Sequence, residues 1–367
     1  MKNKILFLTQ LPPPVHGASA VNKSIQDSPL INRAFDTAFK NISPAADLTE
    51  LGKFSAKKVL IFLSIVYESL KAFFKLKPDL IYLTLSPHGL AFYKDGLLAI
   101  ILKSLGGKLV FHLHGKGIRN EAEKSWLKKK LYRVAFKDVD VIHLAESLFY
   151  DIEDVRDKAK SITAIANGIV PLDKNSTAPK NETFTFVYLS NLIRSKGADI
   201  LVRAAGMIPA EYQGRFQVKI IGKPSDAQYA EEIEQIIAKN PYNNIKFLGP
   251  KYGQEKMMEL TSSHVFVLPT RFKNECFPLS ILEAMAAELA VISTNEGAIP
   301  EIIDSGVSGD IIEACTPEEL AKVMTKHIES PEYSASCAKA SKEKFETNYT
   351  QQIFEENLMS TLKKISN

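Results

Sequence analysis

Short apolar runs alternate with longer amphipathic stretches along most of the chain. In the first half these runs are KILFLTQ, DLIYLTL, KLVFHLH, VDVIHLA and SITAIAN, all rich in β-branched or aromatic residues. They are apolar throughout rather than at every second position, which indicates strands covered on both faces, as in a parallel sheet. Helical stretches such as Ser55 to Lys75 and Lys124 to Lys137 lie between them.

The same pattern restarts after a polar segment. Residues 170–183 contain two prolines and no periodicity, so they predict a linker. Beyond it come FTFVYLS, FQVKIIG, NIKFLG, HVFVLPT, AVIST and GDIIE. We therefore expect an α/β fold of two consecutive βα domains, residues 1–169 and 184–345, sharing a cleft. Residues 346–367 predict a C-terminal helix that packs back on the first domain. Ligands of such sheets bind beyond the carboxyl ends of the strands.

A length of 367 residues favours two domains. The composition, with 45% apolar and 24% charged residues, is that of an ordinary soluble globular protein. Three cysteines without a C-x-x-C pair favour a reducing compartment and argue against a disulfide or zinc framework. The segment MKNKILFLTQLPPP has too short an apolar run for a signal peptide. The longest strongly apolar run, Val59 to Tyr67, is far below the roughly 20 residues of a bilayer span. A cytoplasmic protein is expected.

Charge is distributed unequally along the chain. Residues 1–180 hold 27 Lys and Arg against 17 Asp and Glu, and residues 181–367 hold 19 against 25. A positive first half favours an anionic contact such as a membrane face, a phospholipid-linked acceptor or nucleic acid, with chance imbalance as the alternative. The helix Glu123 to Lys137 mixes cations with aromatic and aliphatic residues. It suits weak peripheral contact with an anionic membrane through Lys124–Lys137; the alternative is a core-packed helix with a solvated basic face.

A series of motifs occurs in order over nearly the whole chain. The second half holds LSNLIRSKGADIL, KIIGKP, IKFLGP, VFVLPT, ECFPLSILEAM, VIST and GAIPEII; the first holds looser matches in LPPPVHGASAVN, LVFHLHG, HLAESL and AIANGI. With these motifs the chain resembles the retaining nucleotide-sugar glycosyltransferases of glycosyltransferase family 4. The resemblance implies the GT-B fold, two Rossmann-like βαβ domains whose parallel sheets face a central cleft. It also implies that the donor binds mainly to the second domain and the acceptor to the first.

The motif ECFPLSILEAM carries two glutamates eight positions apart. Pro278 suits the first turn of a helix, where its missing N–H costs nothing. The N–H groups of Leu279 and Ser280 then offer a nucleotide diphosphate an anion site at the helix start. By resemblance, Glu275 binds the donor sugar and Glu283 the ribose hydroxyls. The alternative is that Glu283 is an acid on a helix surface and Glu275 an acid in a loop.

The motif NLIRSKG supplies cations after the first strand of the second domain. Arg194 and Lys196 there would neutralise the phosphate charge that grows as the sugar–phosphate bond breaks. The family more often has Arg where this chain has Asn191, so either Arg194 substitutes for it or one phosphate contact is missing.

Other positions at the expected donor pocket depart from the family pattern. Cys276 and Phe277 are placed at the donor by the resemblance, but Cys276 stands where the family usually has Gly. Glu288 and Ala290 stand where it usually has Gly and Pro. These departures weaken the donor assignment more than the fold.

Three features of the first domain attract attention. Gly17 would let the backbone approach a diphosphate closely, with His16 beside the acceptor; the alternative is a plain Pro/Gly turn. His112 and His114 point to the same side of their strand. The resemblance assigns His114 to the donor sugar, whereas His112 is expected to be buried and hydrogen-bonded.

Asp138 to Asp140 imitates a D-x-D metal motif, but it precedes a strand and predicts a turn.

The resemblance implies transfer of a hexose or N-acetylhexosamine from a UDP- or GDP-sugar to a glycan or lipid-linked acceptor. A role in bacterial surface polysaccharide synthesis, at the inner face of the cell membrane, is the expectation. Glu275, His114 and Lys196 would surround the reacting bond, and the departing phosphate would take the acceptor's proton. No cofactor, metal or nucleic acid is expected. The alternatives are a GT-B nucleotide-sugar epimerase and a non-catalytic binding subunit, for which the departures at Asn191 and Cys276 leave room.

Overall fold

The computed structural model describes residues 2–13, 16–43, 56–173 and 177–367, without the side chains of residues 56–59. Ser55, the predicted start of one helix, and residues 174–176 of the predicted linker lie outside the described residues. The chain forms two units, which we describe separately. The first comprises Met1–Gly168 with Gln352–Asn367, and the second comprises Ile169–Gln351.

The first unit is built on a six-stranded parallel sheet flanked by helices. Its strands are β1 (Lys4–Thr9), β2 (Asp36–Asn41), β3 (Leu80–Thr84), β4 (Leu109–His112), β5 (Asp140–His143) and β6 (Ser161–Ala164). Their order across the sheet is β2-β1-β3-β4-β5-β6. Its first helices are α1 (Gly17–Asp27), α2 (Pro29–Ala34), α3 (Ala56–Leu76), α4 (Gly89–Ser104), α5 (Ile118–Ala122), α6 (Trp126–Phe136) and α7 (Glu153–Arg156), with a 3-10 helix at Glu146–Ile152.

The central strands follow from the apolar runs of the sequence. Every residue of β3, β4 and β5 is buried, as expected for strands covered on both faces. Strand β2 is not among the predicted strands, because Asp36–Asn41 is an edge strand that is only half-buried and contains no continuous apolar run.

The second unit repeats the plan with another six-stranded parallel sheet. Its strands are β7 (Phe184–Leu189), β8 (Phe216–Ile221), β9 (Ile245–Gly249), β10 (Val265–Leu268), β11 (Ala290–Thr294) and β12 (Gly309–Ile312), in the order β12-β11-β10-β7-β8-β9. Its helices are α8 (Ala198–Met207), α9 (Ala227–Ala238), α10 (Gly253–Thr261), α11 (Leu279–Ala286), α12 (Ile299–Ile302), α13 (Pro317–Glu329) and α14 (Pro331–Asn348), with 3-10 helices at Arg194–Lys196 and Ala210–Tyr212. The predicted α/β fold with two parallel sheets is confirmed.

The last helix, α15 (Gln351–Ser366), belongs almost entirely to the first unit. Three of its apolar side chains, Phe354, Leu358 and Leu362, are almost completely buried. The Ser28 hydroxyl donates a hydrogen bond to Glu355 over 2.6 Å. The predicted tail, residues 346–367, thus starts inside α14 and consists mainly of α15.

Strand order fixes which loops become neighbours. Because β10 pairs with β7 in parallel, the segments that follow these two strands emerge at the same edge of the second sheet. Among the described residues, no helix is both long and apolar enough to cross a bilayer.

Candidate functional site

A lysine–glutamate pair lies at the carboxyl edge of the second sheet. Lys196 follows β7 and Glu275 follows β10, and the Lys196 Nζ lies 2.5 Å from Glu275 Oε2. The Thr270 hydroxyl donates to the same carboxylate oxygen over 3.1 Å. The lysine and glutamate side chains are 13% and 7% exposed, so both charges are largely removed from water. The structure therefore brings two of the predicted site residues into direct contact.

Tight backbone packing holds these two loops together. Gly197 has φ +79°, and a Cβ there would lie 2.0 Å from the Pro269 carbonyl oxygen, so glycine is required. The Arg271 N–H donates to the Ser195 carbonyl over 2.6 Å. These contacts fix the position of Lys196 relative to the loop that carries Glu275.

Helix α11 starts next to Glu275. Pro278 is the residue before the helix rather than part of its first turn, which corrects the expected position by one residue. Leu279 and Ser280 open the helix, and no side chain among the described residues caps its start. The first N–H groups of a helix lack intrahelical partners, so they face outward with the positive end of the dipole. The predicted anion site is thus available as a structural feature.

The residues between Glu275 and the helix point inward. Cys276 and Phe277 are 5% and 7% exposed, and the Phe277 ring packs edge-on against Tyr349 at 5.9 Å between centroids. The Cys276 carbonyl accepts a hydrogen bond from the Ala298 N–H over 2.8 Å. Of the predicted donor residues, these two contribute mainly through packing and backbone.

The second motif glutamate also has a lysine partner. Glu283, on α11, lies 2.6 Å from the Nζ of Lys256, on α10, and both side chains are 23% exposed. Lys256 is not among the predicted site residues, since no motif or helical spacing links residues 27 positions apart on different helices.

Arg194 contacts helix α9 instead of Glu275. Its guanidinium binds Glu232 of α9 through two hydrogen bonds of 3.0 and 2.5 Å. It also lies over the Tyr229 ring, 4.8 Å from the centroid. The structure therefore brings Lys196, and not Arg194, to Glu275, while Asn191 is exposed.

Neutral histidines collect at the carboxyl edge of the first sheet. The His114 and His112 rings contact each other with centroids 4.0 Å apart and planes tilted by 39°. His112 Nδ1 is hydrogen-bonded to the Tyr82 hydroxyl, which confirms His112 as a buried, hydrogen-bonded residue. Burial lowers the pKa of His114 and of His143 to about 3. Both ring nitrogens of His114 are buried without a hydrogen-bond partner among the described residues. His114 is thus a neutral imidazole whose donor and acceptor are available.

His16 caps the start of α1. The ring Nδ1 of His16 accepts a hydrogen bond from the backbone N–H of Ser19 over 3.4 Å, and the backbone N–H of His16 donates one to the Ser19 hydroxyl over 2.9 Å. Burial lowers the pKa of His16. Gly17 is the first helical residue, and a Cβ on it would meet no described atom within 4 Å. His16 therefore has a local structural role, and none of the described residues near position 17 makes a glycine necessary there.

The basic helix α6 shows a mixed surface. Trp126 and Leu127 are 75% and 62% exposed. Lys128 pairs with Glu121 at 2.7 Å, and Arg133 makes two hydrogen bonds to Asp157. Lys129 pairs with Asp154. Part of the positive charge is therefore matched within the protein, while the aromatic and aliphatic residues at the start of the helix remain exposed.

Metal-ligating side chains do not cluster in this protein as far as it is described. Asp138 has φ +59°, as expected for a turn. Asp140 belongs to β5 and accepts a hydrogen bond from the Ser161 hydroxyl over 2.5 Å. Across the described ranges, no three His, Cys, Asp or Glu side chains are placed to hold a metal ion.

Comparison with known proteins gives the site a context. Residues 170–344 match the family model for glycosyl transferases group 1. An uncharacterized glycosyltransferase of Methanocaldococcus jannaschii is 28% identical over 43% of this chain and 42% of its own length. The amylovoran biosynthesis glycosyltransferase AmsK of Erwinia amylovora is 23% identical over 72% and 66%, respectively. The capsular polysaccharide biosynthesis glycosyltransferase CapM of Staphylococcus aureus is 26% identical over 73% of both chains. The chain thus spans less than two thirds of the first two of these relatives.

Solved structures match over nearly the full length. A glycosyltransferase from Rickettsia africae superposes with a TM-score of 0.76 at 16% identity, covering 99% of this chain and 98% of its own. The Anabaena protein HepE, solved in complex with UDP-glucose, gives 0.72 at 19% identity, covering 98% and 99%. These likenesses establish the fold. The chain therefore has the two-domain GT-B fold, and its second unit carries the sequence pattern of the glycosyl transferases group 1 family.

Proposed function

We propose that the chain is a retaining glycosyltransferase that moves a sugar from a nucleotide-diphosphate sugar to a glycan or lipid-linked acceptor. The observation that carries the proposal is the buried Lys196–Glu275 pair beside the uncapped start of α11. A cation, a carboxylate and outward-facing helix N–H groups suit a ligand that combines phosphate oxygens with hydroxyl donors. The names of AmsK and CapM support a role in polysaccharide biosynthesis.

Five residues of the second unit have a defined task in this proposal. The diphosphate accepts hydrogen bonds from the Leu279 and Ser280 N–H groups, and Lys196 stabilises its growing negative charge. Glu275 accepts hydrogen bonds from the sugar, and Glu283 from the ribose hydroxyls. These tasks rest on charge and hydrogen bonding, so the proposed reaction uses no metal or other cofactor. The proposed donor is a UDP- or GDP-sugar carrying a hexose or an N-acetylhexosamine; the UDP-glucose complex of HepE supports testing UDP first.

The proposed chemistry exchanges one bond at the anomeric carbon for another. The bond to the diphosphate oxygen breaks, the bond to the acceptor oxygen forms on the same face, and the acceptor's proton goes to the departing phosphate. Positioning and electrostatic stabilisation then supply most of the rate. In the first unit, the neutral His114 is proposed to hydrogen-bond the donor sugar, and His16 to lie on the acceptor side.

A weak membrane contact completes the proposal. The exposed Trp126 and Leu127 beside the cations of α6 suit the interface of an anionic bilayer. We propose peripheral attachment of a cytoplasmic enzyme through Lys124–Lys137. Co-sedimentation with vesicles should increase with anionic lipid and fall for Trp126→Ala; binding that is independent of anionic lipid would contradict it.

The decisive test is thermal unfolding with UDP, GDP, ADP and their sugar conjugates, for the wild type and for Glu283→Ala. A ligand at about 100 times its Kd adds about 2.7 kcal/mol, which corresponds to a shift of roughly 5–11 °C in the Tm of a unit of this size. We expect a shift with one base that is reduced in Glu283→Ala. Glu234→Ala, at an exposed glutamate of α9, is the matched control and should behave as the wild type. No shift with any nucleotide would contradict the proposal.

A further inference from the structure

The contact between Lys256 and Glu283 joins two helices that are distant in sequence. Lys256 lies near the start of α10 and Glu283 lies in the middle of α11. The Nζ and Oε1 atoms are 2.6 Å apart. Because each side chain is 23% exposed, the pair is shielded from much of the solvent yet can still be reached by a ligand.

Both partners retain unused hydrogen-bonding capacity. A lysine ammonium has three N–H donors, and among the described residues Lys256 uses one of them on Glu283. Within the same described part of the chain, no other hydrogen bond reaches the Glu283 carboxylate, so Oε2 remains open as an acceptor. The lysine thus holds one carboxylate oxygen and leaves the other available.

We propose that Lys256 is a positioning residue for recognition of the nucleotide's ribose. This inference rests on the proposed function, because it takes Glu283 as the acceptor of the ribose hydroxyls. A glutamate side chain has several rotatable bonds, and a charged partner selects one orientation of its carboxylate. Lys256 fixes that orientation, so the ribose hydroxyls meet a preorganised acceptor instead of having to order it.

Lys251 offers a matched control for Lys256. It lies just before α10 and also pairs with a glutamate, Glu255, but at 3.4 Å and with a glutamate side chain that is 73% exposed. Lys251→Met and Lys256→Met therefore remove the same charge from the same region. Lys256→Arg keeps the charge and serves as the rescue variant.

The experiment measures Kd by calorimetry for UDP, GDP and their 2′-deoxy counterparts, with the full-length protein. For the nucleotide that binds, Lys256→Met should weaken the ribonucleotide about tenfold, the value of one charge-assisted hydrogen bond. Its effect on the 2′-deoxy form should be much smaller, so discrimination between the two forms falls. Lys251→Met should match the wild type, and Lys256→Arg should retain most of the discrimination.

Other results would overturn the inference in distinguishable ways. If Lys256→Met weakens both forms equally, or neither, Lys256 does not position a ribose acceptor, while the proposed function stands. If the wild type binds a nucleotide but does not discriminate the 2′-hydroxyl, the ribose role of Glu283 falls along with that of Lys256. If the wild type binds neither UDP nor GDP, the proposed function itself fails.

Discussion

At the scale of single residues, the two motif glutamates are held in different surroundings. Glu275 is almost completely buried and is held by Lys196 and Thr270. Glu283 is partly open and is held by one lysine. Because two partners hold the buried Glu275 carboxylate, it is suited to a single orientation toward a ligand, since reorienting it would leave Lys196 unpaired.

Glu275→Gln should therefore damage both stability and activity. The amide keeps the shape but leaves the Lys196 charge without a counter-ion, which we expect to cost about 3–5 kcal/mol. Transfer should fall on the order of 100-fold, the loss typical of removing one preorganised electrostatic contact. Urea unfolding and a donor-turnover assay check the two effects.

The control for this variant is Glu232→Gln, which loosens the exposed pair of Glu232 with Arg194. It should cost less than about 1 kcal/mol and leave turnover nearly unchanged, because exposed ion pairs contribute little. Equal turnover losses in the two variants would contradict the assigned roles of Lys196 and Glu275.

At the scale of elements, the turn before α12 supports the loop before α11. Gly297 has φ +61°, and a Cβ there would lie 2.5 Å from the Glu275 carbonyl oxygen and 2.7 Å from that of Cys276. Both atoms are backbone and cannot rotate away. The turn therefore determines where Glu275 sits.

Gly297→Ala should displace this backbone. We expect a loss of at least about 2 kcal/mol from the left-handed φ and the overlap, together with weaker nucleotide binding. Calorimetry and thermal unfolding measure both. Gly206→Ala, where a Cβ would meet nothing within 4 Å, should leave both properties close to those of the wild type; unchanged binding in Gly297→Ala would rule out the supporting role of the turn.

The ends of β4 and β5 place buried histidines together, which gives the first unit a pH dependence. The pKa values of His114 and His143 are about 3 in the folded protein, below the ordinary 6.5. As pH falls, the unfolded chain therefore binds protons at these two positions before the folded protein does. The contribution of the two histidines to the free energy of unfolding is complete above about pH 6.5 and is lost as pH falls toward 3. Each histidine contributes roughly 1.4 kcal/mol per pH unit in that window.

Replacing both histidines should flatten this dependence. For His114→Asn/His143→Asn, the difference in unfolding free energy from the wild type should shrink as pH falls from 7 to 4. Urea unfolding at several pH values, followed by a probe in the first unit, measures it. A difference that stays constant with pH would show that these imidazoles are not neutral in the fold.

At the scale of the whole molecule, the chain returns to its first unit at the end. Helix α15 buries Phe354, Leu358 and Leu362 there, although these residues follow the entire second unit in sequence. The first unit therefore completes its core with the last helix.

Leu358→Ala should destabilise the first unit by about 2–5 kcal/mol, the range for truncating a fully buried leucine. Hydrogen exchange resolves the effect by unit and should show lost protection in residues of the first sheet. Lys363→Ala, at an exposed position of the same helix, should have little effect. Lost protection confined to the second unit would contradict the assignment of α15.

Much of the candidate site could be predicted because its residues belong to short, continuous sequence motifs. The spacing of Glu275 and Glu283 around a proline and an apolar helix is contained in one short segment. Continuous apolar runs predicted the parallel strands for the same reason. The half-buried β2 was not predicted, since an edge strand needs no continuous apolar run.

The sequence by itself determined the α/β architecture with two parallel sheets and the candidate residues at strand and helix ends, because neighbours along the chain encode strand and helix periodicity. Only the tertiary structure decided which charges meet. Lys196 and Glu275 are 79 positions apart, and Lys256 and Glu283 are 27 apart. Those pairs depend on strand order and helix packing, and these also turn Arg194 toward Glu232. Side chains pair according to distance in the folded chain, and no local pattern records that distance.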